Sequence, residues 1–137
     1  MAFHLDYDTA NKVMRISVDG VLTDEALLGG YSALRECNAS NDPWFCIMDY
    51  TGVTKVALSN KAIRSLAKEP PALHVERLQV TVVPEQLMFG LARMFQALSY
   101  ETRPNLRVVR SLDEALNLIG VQSPSFSPIF FSLPKSA

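Results

Sequence analysis

The chain reads as an α/β fold in the order ββαβαβαβα, with a mixed, mostly parallel five-stranded sheet flanked by four helices. Three observations predict it. Two alternating segments near the N-terminus share a short polar turn. The later strand-like runs are separated by helix-like ones, and a helical crossover between successive strands of one sheet makes them parallel. The run Trp44-Phe45-Cys46-Ile47-Met48 lacks alternation, as expected of a strand covered on both faces.

Phe3-His4-Leu5-Asp6-Tyr7 and Val13-Met14-Arg15-Ile16-Ser17-Val18 alternate apolar with polar and form an opening hairpin about Asp8-Thr9-Ala10-Asn11. It is the only antiparallel pair expected. Thr23 is positioned to cap a first helix, with Asp24 and Glu25 at its positive end and Leu27, Tyr31 and Leu34 facing inward, ending near Cys37. Gly29-Gly30 inside it costs on the order of 1 kcal/mol per glycine relative to alanine, and tight packing of helix on sheet is the compensation expected. The central strand, residues 44–48, leads into a loop from Asp49 to Leu58. A short helix, Asn60 to Lys68, then buries Ala62, Ile63, Leu66 and Ala67 and stops at Pro70-Pro71.

Leu78 to Val83 is a fourth strand. Pro84 opens a long helix whose inward stripe is Leu87, Met88, Leu91, Met94, Phe95 and Leu98. That stripe puts Phe89, about 200° from Leu87, on the wet face, where an aromatic marks a contact. Leu106 to Arg110 is the fifth strand, and Ser111-Leu112-Asp113-Glu114 caps a last helix ending at Gly120. Residues 1–120 thus form one domain, and 121–137 a hydrophobic tail packed on that domain or on a dimer partner. With Phe126, Ile129, Phe130, Phe131 and Leu133 among serines and prolines, the tail favours a homodimer.

The composition is that of a globule with a core: 137 residues, 48% apolar and 20% charged. A net charge of -1 supplies no field for nucleic acid. The acidic N-terminus is unlike a secretion signal, and no apolar run is long enough to span a bilayer, so a cytoplasmic protein without an integral membrane segment is expected. Cys37 and Cys46 lack the spacing of a redox pair or zinc half-site and read as reduced thiols, Cys46 in the core and Cys37 at a helix end. His4 and His74 have no nucleophile pattern near them, and no metal, cofactor or catalytic motif occurs. Arg103, Arg107 and Arg110, with Arg93, read as solvated charge or a small anion-binding patch.

Around the central strand the chain resembles a known family. Asp49-Tyr50-Thr51-Gly52-Val53-Thr54 looks like the Asp-Leu-Ser-Gly-Val segment of STAS domains, the fold of bacterial anti-sigma-factor antagonists, and of the SpoIIAA-like group. Ala57-Leu58-Ser59-Asn60 stands in the place of the Asp-Ser-Ser-Gly that follows it, with Ala57 for the acidic residue and Asn60 for the glycine. The resemblance implies a bacterial cytoplasmic regulatory module and puts Ser59 where the antagonists are phosphorylated.

From the residues themselves, Ser59 is either a helix cap or a phosphate acceptor at a helix N-terminus. Asp49 and Thr51 are either turn formers around Gly52 or ligand-facing groups at the carboxyl end of the central strand. The expectation is a non-catalytic protein-interaction module whose contact surface holds Asp49, Thr51, Ser59 and Asn60, with Phe89, Phe126, Phe130 and Phe131 as a possible interface. The alternative is a carrier of an apolar small molecule or lipid, since SpoIIAA-like domains resemble lipid-transfer domains in fold. An enzyme ranks below both.

Overall fold

A computed structural model describes residues 2–41, 43–71 and 76–129, with backbone alone at 2–3 and 37–41. The expectations for the Cys37 side chain, His74, Phe130, Phe131 and Leu133 lie outside the described residues. Within them the chain forms β1 (Ala2–Asp8), β2 (Val13–Thr23), α1 (Asp24–Asn41), β3 (Phe45–Ala57) and α2 (Asn60–Lys68). There follow β4 (Leu78–Val82), α3 (Gln86–Leu98), β5 (Leu106–Val109), α4 (Leu112–Ile119) and β6 (Ser127–Ile129). One mixed sheet runs β5-β4-β3-β2-β1-β6. Its β2–β3, β3–β4 and β4–β5 pairs are parallel, and β1 runs antiparallel to both β2 and β6.

The sixth strand corrects the expected five. Residues 127–129 of the tail pair with Leu5, Asp6 and Tyr7, and Pro128 sits on an outermost strand, where a residue without an N–H is tolerated. Ser125 N donates to Asp8 Oδ2 (3.0 Å), and Phe126 lies over the Arg15 guanidinium, 4.5 Å from its carbon. The described part of the tail therefore docks on its own domain.

The second correction is larger. The expected loop from Asp49 to Leu58 is strand as far as Ala57, because β2 runs alongside it to the end: Asp19 pairs with Gly52 and Thr23 with Ala57. Two register shifts, at Ser17/Asp19 and Gly20/Val21, absorb the two residues by which β3 (13) exceeds β2 (11). The strand starts at Phe45, which leaves Trp44 half-exposed with the Arg77 guanidinium stacked on it.

Alternate residues of each strand feed two apolar layers on opposite faces. Met14, Ile16, Val18, Cys46 and Met48 pack against α1, α2 and α3, with Leu34 of α1 and Leu66 of α2 fully enclosed. Val13, Ile47, Val80 and Val82 pack against Ala115 and Ile119 of α4. Three helices thus share one face, and α4 stands on the other. Leu27, Tyr31 and Leu34 are buried as expected. Gly29 has open space around it, so the predicted close helix–sheet approach does not explain it.

Helix α3 is turned relative to its predicted orientation. Met88 and Phe95 are buried, but Leu87 is 63% and Leu98 50% exposed. Phe89 is partly buried against the core with Arg110 stacked on its ring at 4.1 Å, so it is not the exposed aromatic expected. Glu85, not Pro84, marks the helix start, its carboxylate accepting from Leu87 N and Met88 N.

Of the arginine cluster, Arg93, Arg107 and Arg110 are exposed as expected, but Arg103 is not solvated charge. Arg103 is 4% exposed, lies over the Phe95 ring, and donates to the carbonyls of Glu69 (3.1 Å), Ala67 and Pro70 (both 3.4 Å) and Leu66 (3.5 Å). A cation thereby closes the C-terminus of α2, where unpaired carbonyls and the negative end of the dipole collect. Burial pulls its pKa below the ordinary arginine value, yet it stays charged.

Replacing Arg103 with alanine strands those carbonyls in the interior and is expected to lower stability by about 2–4 kcal/mol in urea unfolding. Arg107→Ala, which removes contacts at the exposed edge only, should stay within about 0.5 kcal/mol. Equal effects would contradict the assignment. Asp8 gives a pH test. Burial acts to raise its pKa, but hydrogen bonds from Asn11, Ser125 and Ala10 outweigh burial and hold it below the ordinary 3.8. The carboxylate's contribution is complete above the unfolded pKa and is lost as pH falls through the lower, folded value. The Ser125 amide resonance should titrate with a midpoint below 3.8, and lose that titration in Asp8→Asn.

Candidate functional site

On the α4 face, the helix covers β3, β4 and β5 and leaves the β1–β2 half open. Strand alternation puts polar residues there in rows across the sheet. His4, Ser17 and Asp49 make one rung, and Asp6 and Arg15 the next. With Asp19, Thr51 and Gly52 from the irregular stretch, and Pro128 and Ile129 of β6 as one wall, they line a cleft of about 650 Å³.

The charges in the cleft are mostly answered from within. Arg15 gives Nη2 (2.6 Å) and Nε (3.2 Å) to Asp6 Oδ2, while Phe126 stacks on its guanidinium. His4 Nε2 lies 3.2 Å from Asp19 Oδ2. Asp19 in turn leans across β3 at Gly52, where a Cβ would fall 1.9 Å from Asp19 Oδ1 and 3.2 Å from the Val18 carbonyl. Gly52 is thus required for close approach and not, as the sequence suggested, for a bend.

Asp49 differs. It is only 7% exposed, its Oδ1 accepts from Thr51 N at 2.9 Å, and its Oδ2 receives no donor among the described residues. That second oxygen opens to the cleft, where water or an incoming donor can reach it.

Of the predicted site residues, then, the structure unites Asp49 and Thr51 in the cleft and brings Phe126 to its Arg15 edge. Ser59 and Asn60 are exposed at the start of α2 and do not line it. Ser59 is a fully engaged cap: Oγ accepts from Ala62 N (3.1 Å) and donates to Asp24 Oδ2 (2.7 Å), while Ser59 N donates to Asp24 Oδ1 (2.8 Å). These bonds from Ser59 hold the Asp24 pKa below the usual range. A phosphate on Ser59 would lie against that carboxylate, so modification would open the α1–α2 contact and not reinforce the helix start.

Sequence reasoning passed over His4, Asp6, Arg15, Ser17 and Asp19 as the wet side of a hairpin. The available signal was their ionisable character at every second position, on a sheet face that too few helices can cover.

Two other spaces bear on function. Beneath α1, α2 and α3 lies an apolar pocket of about 40 Å³, between Tyr31, Tyr50, Ile63 and Phe95. A groove of about 360 Å³ separates Val53–Val56 from Pro84 and Leu87. The Cys46 thiol is fully buried and pushed up to about 12, which keeps it protonated and unreactive at neutral pH. Among the described residues no group of acidic, histidine and cysteine side chains is arranged to hold a metal ion, and no helix is long and apolar enough to cross a membrane. The chain matches no known family model, no curated protein and no solved structure.

The Ser59 cap supplies its own test. Ser59→Ala should cost about 1 kcal/mol through the lost cap, and Ser59→Asp should be less stable than Ser59→Asn because it faces Asp24. If thermal unfolding ranks the acidic variant above the amide, the clamp has been misread.

Proposed function

We propose that this chain is a non-catalytic, STAS-like interaction module of the bacterial cytoplasm, which receives a partner protein on the open half of its sheet. The observation that carries the reading is the Asp49 carboxylate in the wall of the cleft, one oxygen held by Thr51 N and the other open to the cleft. Asp6 is matched by Arg15, while no lysine or arginine faces Asp19 or Asp49 within the cleft, so its surplus charge is negative, and the complementary group is a lysine, arginine or amide of the partner.

The topology supports kinship with STAS domains in having an antiparallel hairpin followed by strands with helical crossovers, and so does the Asp49–Thr54 segment. In this reading the contact surface is a sheet face and not the loop first expected, and Ser59 acts by release: phosphorylation there would loosen α1 from α2. The carrier alternative does not find its site in the pocket beneath the helices, where about 40 Å³ accommodates a water molecule or two; it would have to use the groove of about 360 Å³ beside Val53–Val56.

A photo-crosslinking side chain at Thr51, introduced into the protein in its source cells, tests the proposal. One dominant protein adduct is expected, and it should disappear when Asp49→Asn is combined with the probe, with the unfolding midpoint preserved. An adduct indifferent to Asp49→Asn, or none at all, would remove the cleft from consideration as a partner surface.

A further inference from the structure

The geometry points to a second docking surface: the free edge of β3, over residues 50–57, takes up an acidic, extended peptide of a partner protein as an added strand. This edge faces a different space from the polar cleft, so either reading can fail without the other.

β3 is a central strand only for its first half. Its ladder with β4 ends where Asp49 meets Val82, because the chain leaves β4 there to begin α3, while β3 goes on to Ala57 with β2 on one side alone. Residues 50–57, about 26 Å of strand, thus lack a neighbour on the β4 side among the described residues. The other unpaired edges are shorter. The outer strands β5 and β6 have four and three residues, and β2 outlasts β1 only over residues 20–23. Short edges are one way in which sheets avoid pairing with other chains, and β3 forgoes it.

An open edge names the chemistry of its guest. Its N–H and C=O groups form a row whose spacing is matched by another extended backbone. The room for that backbone is present. On the β4 side of β3 lies the groove of about 360 Å³, between Val53–Val56 and the start of α3 at Pro84, Glu85, Leu87 and Met88. Leu87 stands 63% exposed beside it, with Val53 and Val56 partly buried opposite, so one row of the guest's side chains meets apolar walls. The extra residue at Thr54 breaks the alternation of β3 and limits the pairing to a few residues on either side.

Charge selects among extended peptides. Two charged residues line the groove. The Glu85 carboxylate is spent on Leu87 N and Met88 N, whereas Lys55 is exposed and makes no ion pair among the described residues. The uncompensated charge is therefore positive, and an aspartate or glutamate of the guest answers it. A lysine on a free edge also works against pairing with a second copy, which would bring a lysine of its own. In strand addition of this kind main-chain bonds supply affinity and alternate side chains supply selection.

Selection of phage-displayed random octapeptides against the full chain tests the inference. The enriched peptides should alternate apolar residues with at least one aspartate or glutamate and should lack proline within that stretch. A synthetic peptide of the consensus sequence should shift the amide resonances of residues 53–57 and slow their hydrogen exchange, leaving those of His4, Asp6 and Arg15 in place. Lys55→Glu and Leu87→Glu should each weaken its binding at least tenfold with the thermal midpoint unchanged, since both side chains already stand in water. Peptides that bind Lys55→Glu equally well, shifts confined to other strands, or a selection that enriches nothing would overturn the inference. So would another occupant of the groove: a lipid held in the native mass spectrum and lost in Leu87→Glu, or a dimer of the wild-type chain broken by that substitution.

Discussion

The parallel ladder between β2 and β3 is the interaction on which the rest of this structure depends. It is the longest pairing in the sheet, from Val13 opposite Phe45 to Thr23 opposite Ala57, and it outlasts its neighbours on both sides. Strand β4 accompanies β3 only as far as Asp49, and β1 accompanies β2 only as far as Asp19. Beyond those points two strands continue alone, held by each other and by Leu22, which is wholly buried beneath α1. Because both strands end on the same rung, the chain enters α1 at Asp24 and α2 after Ser59 at neighbouring points. The bonds between that carboxylate and the serine N–H and O–H follow from the register. A slip of one residue would turn the buried side chains outward and separate the two caps together.

The same ladder explains the division of the surface. The three connections from β2 to β5 all pass over one face, filling it with Leu27, Leu34, Ile63, Leu66 and Phe95. Among the described residues the other face receives only the helix that follows β5, which reaches as far as β3. The uncovered strands cannot carry apolar residues there without exposing them, so β1 and β2 alternate Leu5, Met14, Ile16 and Val18 toward the helices with His4, Asp6, Arg15 and Ser17 toward water. Chain economy also sends the tail back across this face. Asp8 receives Ser125, Phe126 covers Arg15, and β6 extends the sheet. The cleft is what lies between that returning segment and α4.

Much of this was legible in the sequence, wherever one period and one partner decide the outcome. The hairpin, the four helices, their buried stripes in α1 and α2, and the caps Thr23, Ser59 and Ser111 needed only local patterning. The errors share a cause. Residues 49–57 read as loop because Asp49, Gly52 and Lys55 interrupt the apolar run, yet a strand flanked on one side only, with two bulges, requires no uninterrupted alternation. Arg103 read as surface charge because its partners, the last carbonyls of α2, are more than thirty residues away. Helix α3 was turned wrongly because its apolar arc exceeds the width of its seat, and periodicity alone cannot say which part of a broad arc faces the sheet.

That excess also separates the two kinds of uncovered surface. At Asp49 the uncovered group is polar and directional: one carboxylate oxygen accepts from the Thr51 N–H and the other opens to the cleft. An interaction of that kind adds little to affinity unless the incoming group is well aligned, but it discriminates strongly against a partner lacking the donor. On α3 the surplus is apolar area, with Leu87 and Leu98 standing in water beside the buried Met88 and Phe95. With α1, α2 and α3 on one side and the cleft on the other, the sheet separates this apolar surplus from the polar cleft, so each answers to the covering of its own face alone.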